Sequence, residues 1–166
     1  MSDTDDLAIS APLIQHYEEC ILHPYPDANG IPTIGWGNTI YRNGDRVTLQ
    51  DPPLAQADAD ELFEYWLSEF RNKVASHAIG ANANQLAAFT SLAYNIGVGA
   101  FANSTALRAY LSGNTALAGN GIEMWDKSGG RVLLGLQRRR RAERLVFDGG
   151  AVVPSITQAE ADFPSG

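Results

Sequence analysis

The sequence predicts an α+β fold, with a small antiparallel sheet near the N-terminus and helices over the remainder. Two runs containing Asn-Gly, "DANG" and "YRNGDR", break residues 25–49 into short extended pieces, the pattern of hairpins. Beyond Pro52 and Pro53 the apolar residues recur at helical spacing for most of the chain. With 166 residues, 45% of them hydrophobic, the chain suits one domain or two small lobes sharing a core.

The first element, "SAPLIQHYEECIL" over 10–22, carries Leu13, Ile14, Tyr17 and Ile21 at helical spacing, with Ser10 as its N-cap. Glu18 falls near its C-terminal end, where the helix dipole disfavours a carboxylate. Cys20 reads as a small buried residue on the same helix; a single cysteine forms no internal disulfide. Three strands come next, over 24–28, 31–36 and 38–49, with a tight turn at Asn43 and Gly44. Side chains alternate along a strand, so Ile31, Thr33 and Gly35 share a face and Thr33 looks across at the strand bearing Asp27.

The next segment, "LAQADADELFEYWLSEFRNKVASHA", loads its acids early and Arg71 and Lys73 late, as the macrodipole favours. Leu62, Phe63, Trp66, Phe70 and Val74 form its apolar stripe. Further helices are expected over "QLAAFTSLAYNIG" up to Gly97, over "STALRAYLSGN" with Ser104 as N-cap and Gly113 at the stop, over 115–126, and over "GLQRRRRAERLVF" before Gly149 and Gly150. The end, "AVVPSITQAEADFPSG", reads as a wrapped or frayed tail. The plan is one domain over 1–166: an N-terminal lobe at about 10–54, a connecting helix at about 55–77, a helical lobe at about 78–148 and a tail at 149–166.

Charge is unevenly placed. Residues 1–70 hold 13 acids and 2 bases, a balance of −11, whereas 71–166 hold 6 acids and 10 bases, a balance of +4. The basic half can attract a polyanion. The run Arg138 to Arg141 points in four directions around one helical turn of an acidic protein, which argues against nucleic acid; some of these arginines are expected in solvent and others paired. His16, His23 and His77 are scattered without metal-site spacing, and the glycines of "GWGNT" do not form a dinucleotide fingerprint. Their expected role is close backbone approach. Tyr17, Tyr25, Trp36 and Trp66 read first as core residues, although a sugar-binding cleft would also use exposed aromatic faces. No apolar run approaches the ~18 residues that a membrane span needs, and no signal peptide is seen.

There remain two carboxylates and a hydroxyl. Glycoside hydrolysis needs one protonated acid and one ionised carboxylate on opposite sides of the scissile bond. A helix-end glutamate and a turn aspartate suit that division. The spacing E-x8-D-x5-T at Glu18, Asp27 and Thr33 lies within "Y-x-D-x-x-G-x-x-T-I-G-x-G-x-T". With "AYNIGVGAFANSTALRAYL" and "GGRVLLGLQRRRRAERLVF", it resembles the phage-type lysozymes of glycoside hydrolase family 24, the endolysins of double-stranded DNA phages, over roughly residues 7–148.

That resemblance implies a lysozyme-like arrangement: a small lobe with a three-stranded sheet, a long connecting helix, a helical lobe and an active-site cleft between the lobes. It implies that Glu18 is the general acid and that Asp27 with Thr33 positions the attacking water. The substrate implied is the β-1,4 bond between N-acetylmuramic acid and N-acetylglucosamine of peptidoglycan, with no cofactor and no metal. Thr39, Tyr94, Asn95 and Ser104 match positions lining the family's saccharide cleft, and Arg139 matches an arginine near the catalytic glutamate. The expected partner is the glycan strand, met by a monomer that does not insert into membrane. The protein would wait in the host bacterial cytoplasm and reach the periplasm and wall through a holin-like hole. A catalytically silent wall-binding module and a virion-associated muramidase are the alternatives. The chain departs from the family pattern at Asn38, where many relatives have histidine, at Glu19, commonly glycine, and at Leu134, commonly proline.

Overall fold

The computed structural model describes residues 3–166. The described chain runs α1 (Asp3–Tyr17), β1 (Ile21–Pro26), β2 (Pro32–Gly35), α2 (Gln56–His77), α3 (Ala83–Ile96), α4 (Val98–Ala102) and α5 (Thr105–Leu111). It continues with α6 (Thr115–Glu123), β3 (Lys127–Ser128), β4 (Arg131–Val132), α7 (Leu134–Phe147) and α8 (Val152–Asp162). The α+β class is as predicted. The chain forms two compact units, Ile14–Glu69 and Met1–Leu13 with Phe70–Gly166.

In the smaller unit β1 and β2 pair antiparallel, Ile21 with Gly35, Tyr25 with Thr33 and Pro26 with Pro32, with an irregularity between Ile21 and Tyr25. Backbone pairing continues past the facing prolines into the turn, where the Asp27 amide donates to the Ile31 carbonyl at 2.9 Å. The expected third strand over 38–49 does not form. Gly35 and Gly37 take φ of +66° and +84°, turning the chain sharply at Trp36. The segment after this turn touches β2 by one bridge, Ile34 with Asn38, and then pairs with itself through the bridge Ile40 with Arg46 and the amide of Val47 on the carbonyl of Thr39. Its backbone groups are satisfied locally, so no third ladder is needed. Buried Ile34, Val47 and Leu62 form the core here, flanked by Tyr41, Leu54 and Trp66. The indole of Trp66 donates to the carbonyl of Ile40 at 2.8 Å.

Helix α1 starts and stops earlier than the predicted 10–22. An acid-rich N-terminus favours a helix start, and Ser10 is buried inside the helix instead of capping it. Cys20 is likewise corrected: it lies beyond the helix, partly exposed, with its Sγ 3.6 Å from the amide nitrogen of Gln56.

The larger unit is helical apart from the β3–β4 hairpin, which sequence reading missed along with the short α4. Its central helix α3 begins with a reciprocal cap: Asn82 accepts from the Gln85 amide at 2.8 Å, and Gln85 accepts from the Asn82 amide at 3.1 Å. Residues Leu86 to Ala93 are buried. Phe89 packs its ring against Phe101 and Phe147, both 5.0 Å away, and against Tyr110 at 5.6 Å. Helices α5 and α6 approach so closely that a Cβ on Gly121 would sit 2.6 Å from the Ala106 nitrogen.

The tail is neither frayed nor merely wrapped. It forms α8, burying Ser155, Ile156 and Ala159. Asn84 holds the preceding turn by donating to the carbonyls of Val146 and Gly150, both at 3.1 Å. The arginine run does the rest. Arg138 donates to the Phe163 carbonyl at 2.8 Å, and Arg141 pairs with Asp162 at 2.8 Å and Glu123 at 3.1 Å. Arg139 and Arg140 are buried against Glu143 at 3.3 and 2.8 Å. None of the four is simply a solvated charge, the role expected of some. Far away in sequence, Asp6 is fully buried and takes a two-pronged bond from Arg71 at 3.0 and 3.2 Å.

Candidate active site

Asp27 stands one residue past the end of β1, at the head of the turn into β2. Its Oδ1 accepts the amides of Asn29 at 2.8 Å and Ile31 at 2.9 Å. Aspartate commonly caps its own turn in this way. Gly30, with φ of +79°, lets the chain reverse there and donates its amide to the Asp27 carbonyl at 2.9 Å. The Ile31 carbonyl in turn accepts the Asp27 amide at 2.9 Å and the Thr33 hydroxyl at 2.8 Å. One carboxylate oxygen is therefore tied to the turn. The other, Oδ2, makes no hydrogen bond among the described residues.

Glu18 comes directly after α1 and closes its last turn, its amide donating to the Ile14 carbonyl at 2.9 Å. The reversal at Gly35-Trp36-Gly37 approaches its carboxylate. A Cβ on Gly37 would lie 3.3 Å from Glu18 Oε2, and the positive φ there also disfavours any side chain. This is the close backbone approach expected of the "GWGNT" glycines. Trp36 itself is anchored from below: Asp60 Oδ1 accepts from its indole N–H and from the Gln56 amide, both at 2.9 Å.

Both carboxylates act on Tyr25. Burial first, then the negative charges of Glu18, Asp27 and Glu19, push its phenol above the ordinary value. Both carboxylates thus lie within electrostatic reach of one hydroxyl. Tyr25 is also the cross-strand partner of Thr33, which is only 3% exposed. Glu18, Asp27 and Thr33 all belong to the smaller unit, where Asp27 and Thr33 share the Ile31 backbone and Glu18 and Asp27 both act on Tyr25.

The remaining sequence-derived residues have separate settings. Thr39 is partly buried and its carbonyl accepts the Val47 amide. In the larger unit Tyr94 packs on Phe70, ring centres 5.3 Å apart, and Asn95 is exposed. Ser104 is buried, donating to the Phe101 carbonyl at 2.7 Å and accepting the Leu107 amide at 3.2 Å as the α5 cap. Arg139 donates to the Ser91 carbonyl at 3.1 Å and pairs with Glu143. Among the described residues no group of three or more His, Cys, Asp or Glu could hold a metal, and no helix is long and apolar enough to cross a membrane.

Of the residues near these carboxylates, Tyr25 was among the aromatics that a sugar cleft would use, whereas the Asp60 contact with Trp36 was not anticipated. The first had a visible signal, the Tyr-x-Asp spacing ahead of the turn; the second had only the four-residue step from Gln56 on α2.

A phage lysozyme family profile matches residues 15–143. The endolysin of Salmonella phage P22 is 36% identical over 128 residues, 76% of this chain and 86% of that protein. The endolysin of Bacillus phage PZA is 43% identical over 72 residues, which are 43% of this chain and only 28% of that longer protein. Among solved structures, the endolysin from Escherichia coli O157:H7 phage FAHEc1 superposes with a TM-score of 0.72 at 26% identity, covering 89% of this chain and 93% of that one. The muramidase domain of SpmX from Asticaccaulis excentricus gives 0.67 at 29% identity, covering 88% and 95%.

Proposed function

The chain belongs to the phage lysozyme family, and we propose accordingly that it is an endolysin-type muramidase, hydrolysing the β-1,4 bond between N-acetylmuramic acid and N-acetylglucosamine in peptidoglycan. The observation that carries the reading is the hydrogen bonding of the Asp27 turn. Asp27 Oδ1 is held by the Asn29 and Ile31 amides, and the Thr33 proton is given to the Ile31 carbonyl. Asp27 Oδ2 and Thr33 Oγ1 are then both acceptors. A water donating one proton to each keeps a lone pair for the anomeric carbon, and Asp27 takes its proton as the bond forms.

Glu18 serves on the other side as general acid, protonating the glycosidic oxygen as the leaving sugar departs. Such a reaction inverts the anomeric centre, because the water attacks opposite the leaving group. Arg139 is the supporting residue for Glu18 in this reading, with Thr39, Tyr94 and Asn95 as saccharide contacts. Ser104, whose hydroxyl is committed to its helix cap, contributes by fixing the start of α5. The setting proposed is the wall of the host bacterium, reached by a monomer after release from the cytoplasm through a holin-like hole.

Digestion of purified peptidoglycan, with mass spectrometry of the new ends, tests the reaction. A reducing muramic acid is the expected product. An anhydro end would mean transglycosylation and overturn the water-based mechanism; binding without cleavage would make the protein a silent wall-binding module.

A further inference from the structure

We propose that Tyr25 is a substrate-contacting residue, whose phenolic hydroxyl donates a hydrogen bond to the sugar held between Glu18 and Asp27. The inference deepens the muramidase reading and rests on it. Its first support is position. Tyr25 lies on β1 directly across from Thr33 and two residues before Asp27, so the strand pairing that sets the water-holding hydroxyl also sets the phenol. The approach of Gly37 to Glu18 keeps the general acid on the same small unit.

The second support is what the hydroxyl lacks. Tyr25 is partly buried, yet it makes no hydrogen bond among the described residues. A tyrosine that serves only the core commonly finds a protein acceptor, as Tyr41 does on Asp51 and Tyr110 on the Ile79 carbonyl, both at 2.8 Å. The Tyr25 hydroxyl has two carboxylates in electrostatic reach and a bond to neither. Burial first, and then their charge, holds the proton on the phenol, so the group is a donor and not a base.

The third support is the geometry of the reaction. In an inverting hydrolysis the sugar under attack lies between the acid and the water-holding carboxylate. A donor across the strand pair from Thr33 and two residues before Asp27 is placed to meet that sugar. Its natural acceptors are a ring hydroxyl or the acetamido oxygen of an N-acetylated hexose, neutral groups that two neighbouring carboxylates do not repel.

Tyr25→Phe removes one oxygen and keeps the ring. The probe is a soluble wall-derived tetrasaccharide of alternating N-acetylglucosamine and N-acetylmuramic acid, used with active enzyme for kinetics and with Glu18→Gln protein for binding. We expect the melting temperature to stay within about 2 °C, since the hydroxyl has no protein bond to lose, while kcat/KM falls on the order of tenfold. Tetrasaccharide affinity of the Glu18→Gln protein should fall several-fold when Tyr25→Phe is added. A purely structural tyrosine would move stability and leave both of these readouts alone. Unchanged kinetics and affinity in the Phe variant, beside an active parent, overturn the role of Tyr25 and leave the muramidase reading standing. A parent that neither cleaves nor binds the tetrasaccharide overturns both.

Discussion

Thr33 gives its hydroxyl proton to the carbonyl of Ile31, 2.8 Å away, while the Ile31 amide holds the carboxylate of Asp27 at 2.9 Å. One residue's backbone therefore orients both groups assigned to the water. Thr33→Ala leaves Asp27 tied to its turn but removes one of the two acceptors. We expect kcat to fall roughly a hundredfold with KM little changed, the pattern of an interaction made mainly in the transition state. Thr33→Ser should retain more activity than Thr33→Ala. Steady-state kinetics on the tetrasaccharide, with proton NMR of the first-formed anomer, checks both; an initial β-anomer would contradict inversion.

Gly37→Ala places a methyl 3.3 Å from Glu18 Oε2 at a backbone φ of +84°. The left-handed conformation costs about 1–2 kcal/mol for a residue with a Cβ, and the carboxylate must give way as well. Stability should drop by about that amount in urea titrations. Activity should drop further than the unfolded fraction explains, because the proposed acid is displaced in the folded molecules.

Asp51 is held below its ordinary value by the Thr48 hydroxyl, the Thr48 amide and the Tyr41 hydroxyl, in that order. A lowered folded-state value means that its contribution to stability is present above the ordinary carboxylate range and is lost as pH falls through the folded value. Tyr41 is pushed up to about 12, first by burial and then by its bond to Asp51. Its contribution is present below the ordinary tyrosine value and is lost as pH rises towards 12. The loop should therefore loosen at both extremes. The protection of the Thr48 amide relative to a free chain at the same pH should fall in acid, and Asp51→Asn should move the ultraviolet titration of Tyr41 to lower pH.

Glu143 is fully buried and binds Arg139, Arg140 and the Ser91 hydroxyl. Breaking a buried ion pair from one side costs about 3–5 kcal/mol, because the stranded charge stays in the interior. Glu143→Gln keeps the shape and should be destabilised on that scale in chemical denaturation. Replacing Glu143 and both arginines by apolar residues of similar size should be milder than the single change.

The elements read well from sequence were those whose ends carry local chemistry. Ser104 caps α5 as expected, and Gly97 and Gly113 take positive φ at two helix stops. The failures came where a local signal competed with packing. Ser10 looks like a cap, yet tertiary burial places it inside α1. In α8 only Ser155, Ile156 and Ala159 are buried, too narrow a stripe around Pro154 to stand out. The Asn43-Gly44 turn was legible, but the failure of a third strand depended on the double glycine reversal at Trp36. At the site, Glu18, Asp27 and Thr33 were visible as a spacing. Tyr25 shared the Tyr-x-Asp spacing, but its relation to Glu18 depends on folding.

The division of the chain has a consequence for biogenesis. The smaller unit is one uninterrupted stretch, Ile14–Glu69, whereas the larger joins Met1–Leu13 to Phe70–Gly166. A ribosome delivers every residue of the smaller unit in one stretch, and it can begin to close as soon as that stretch emerges. Asp6 is made before it but finds Arg71 only after the whole intervening unit has been synthesised. The arginines that clamp α8 likewise find Phe163 and Asp162 only after those later residues have been made.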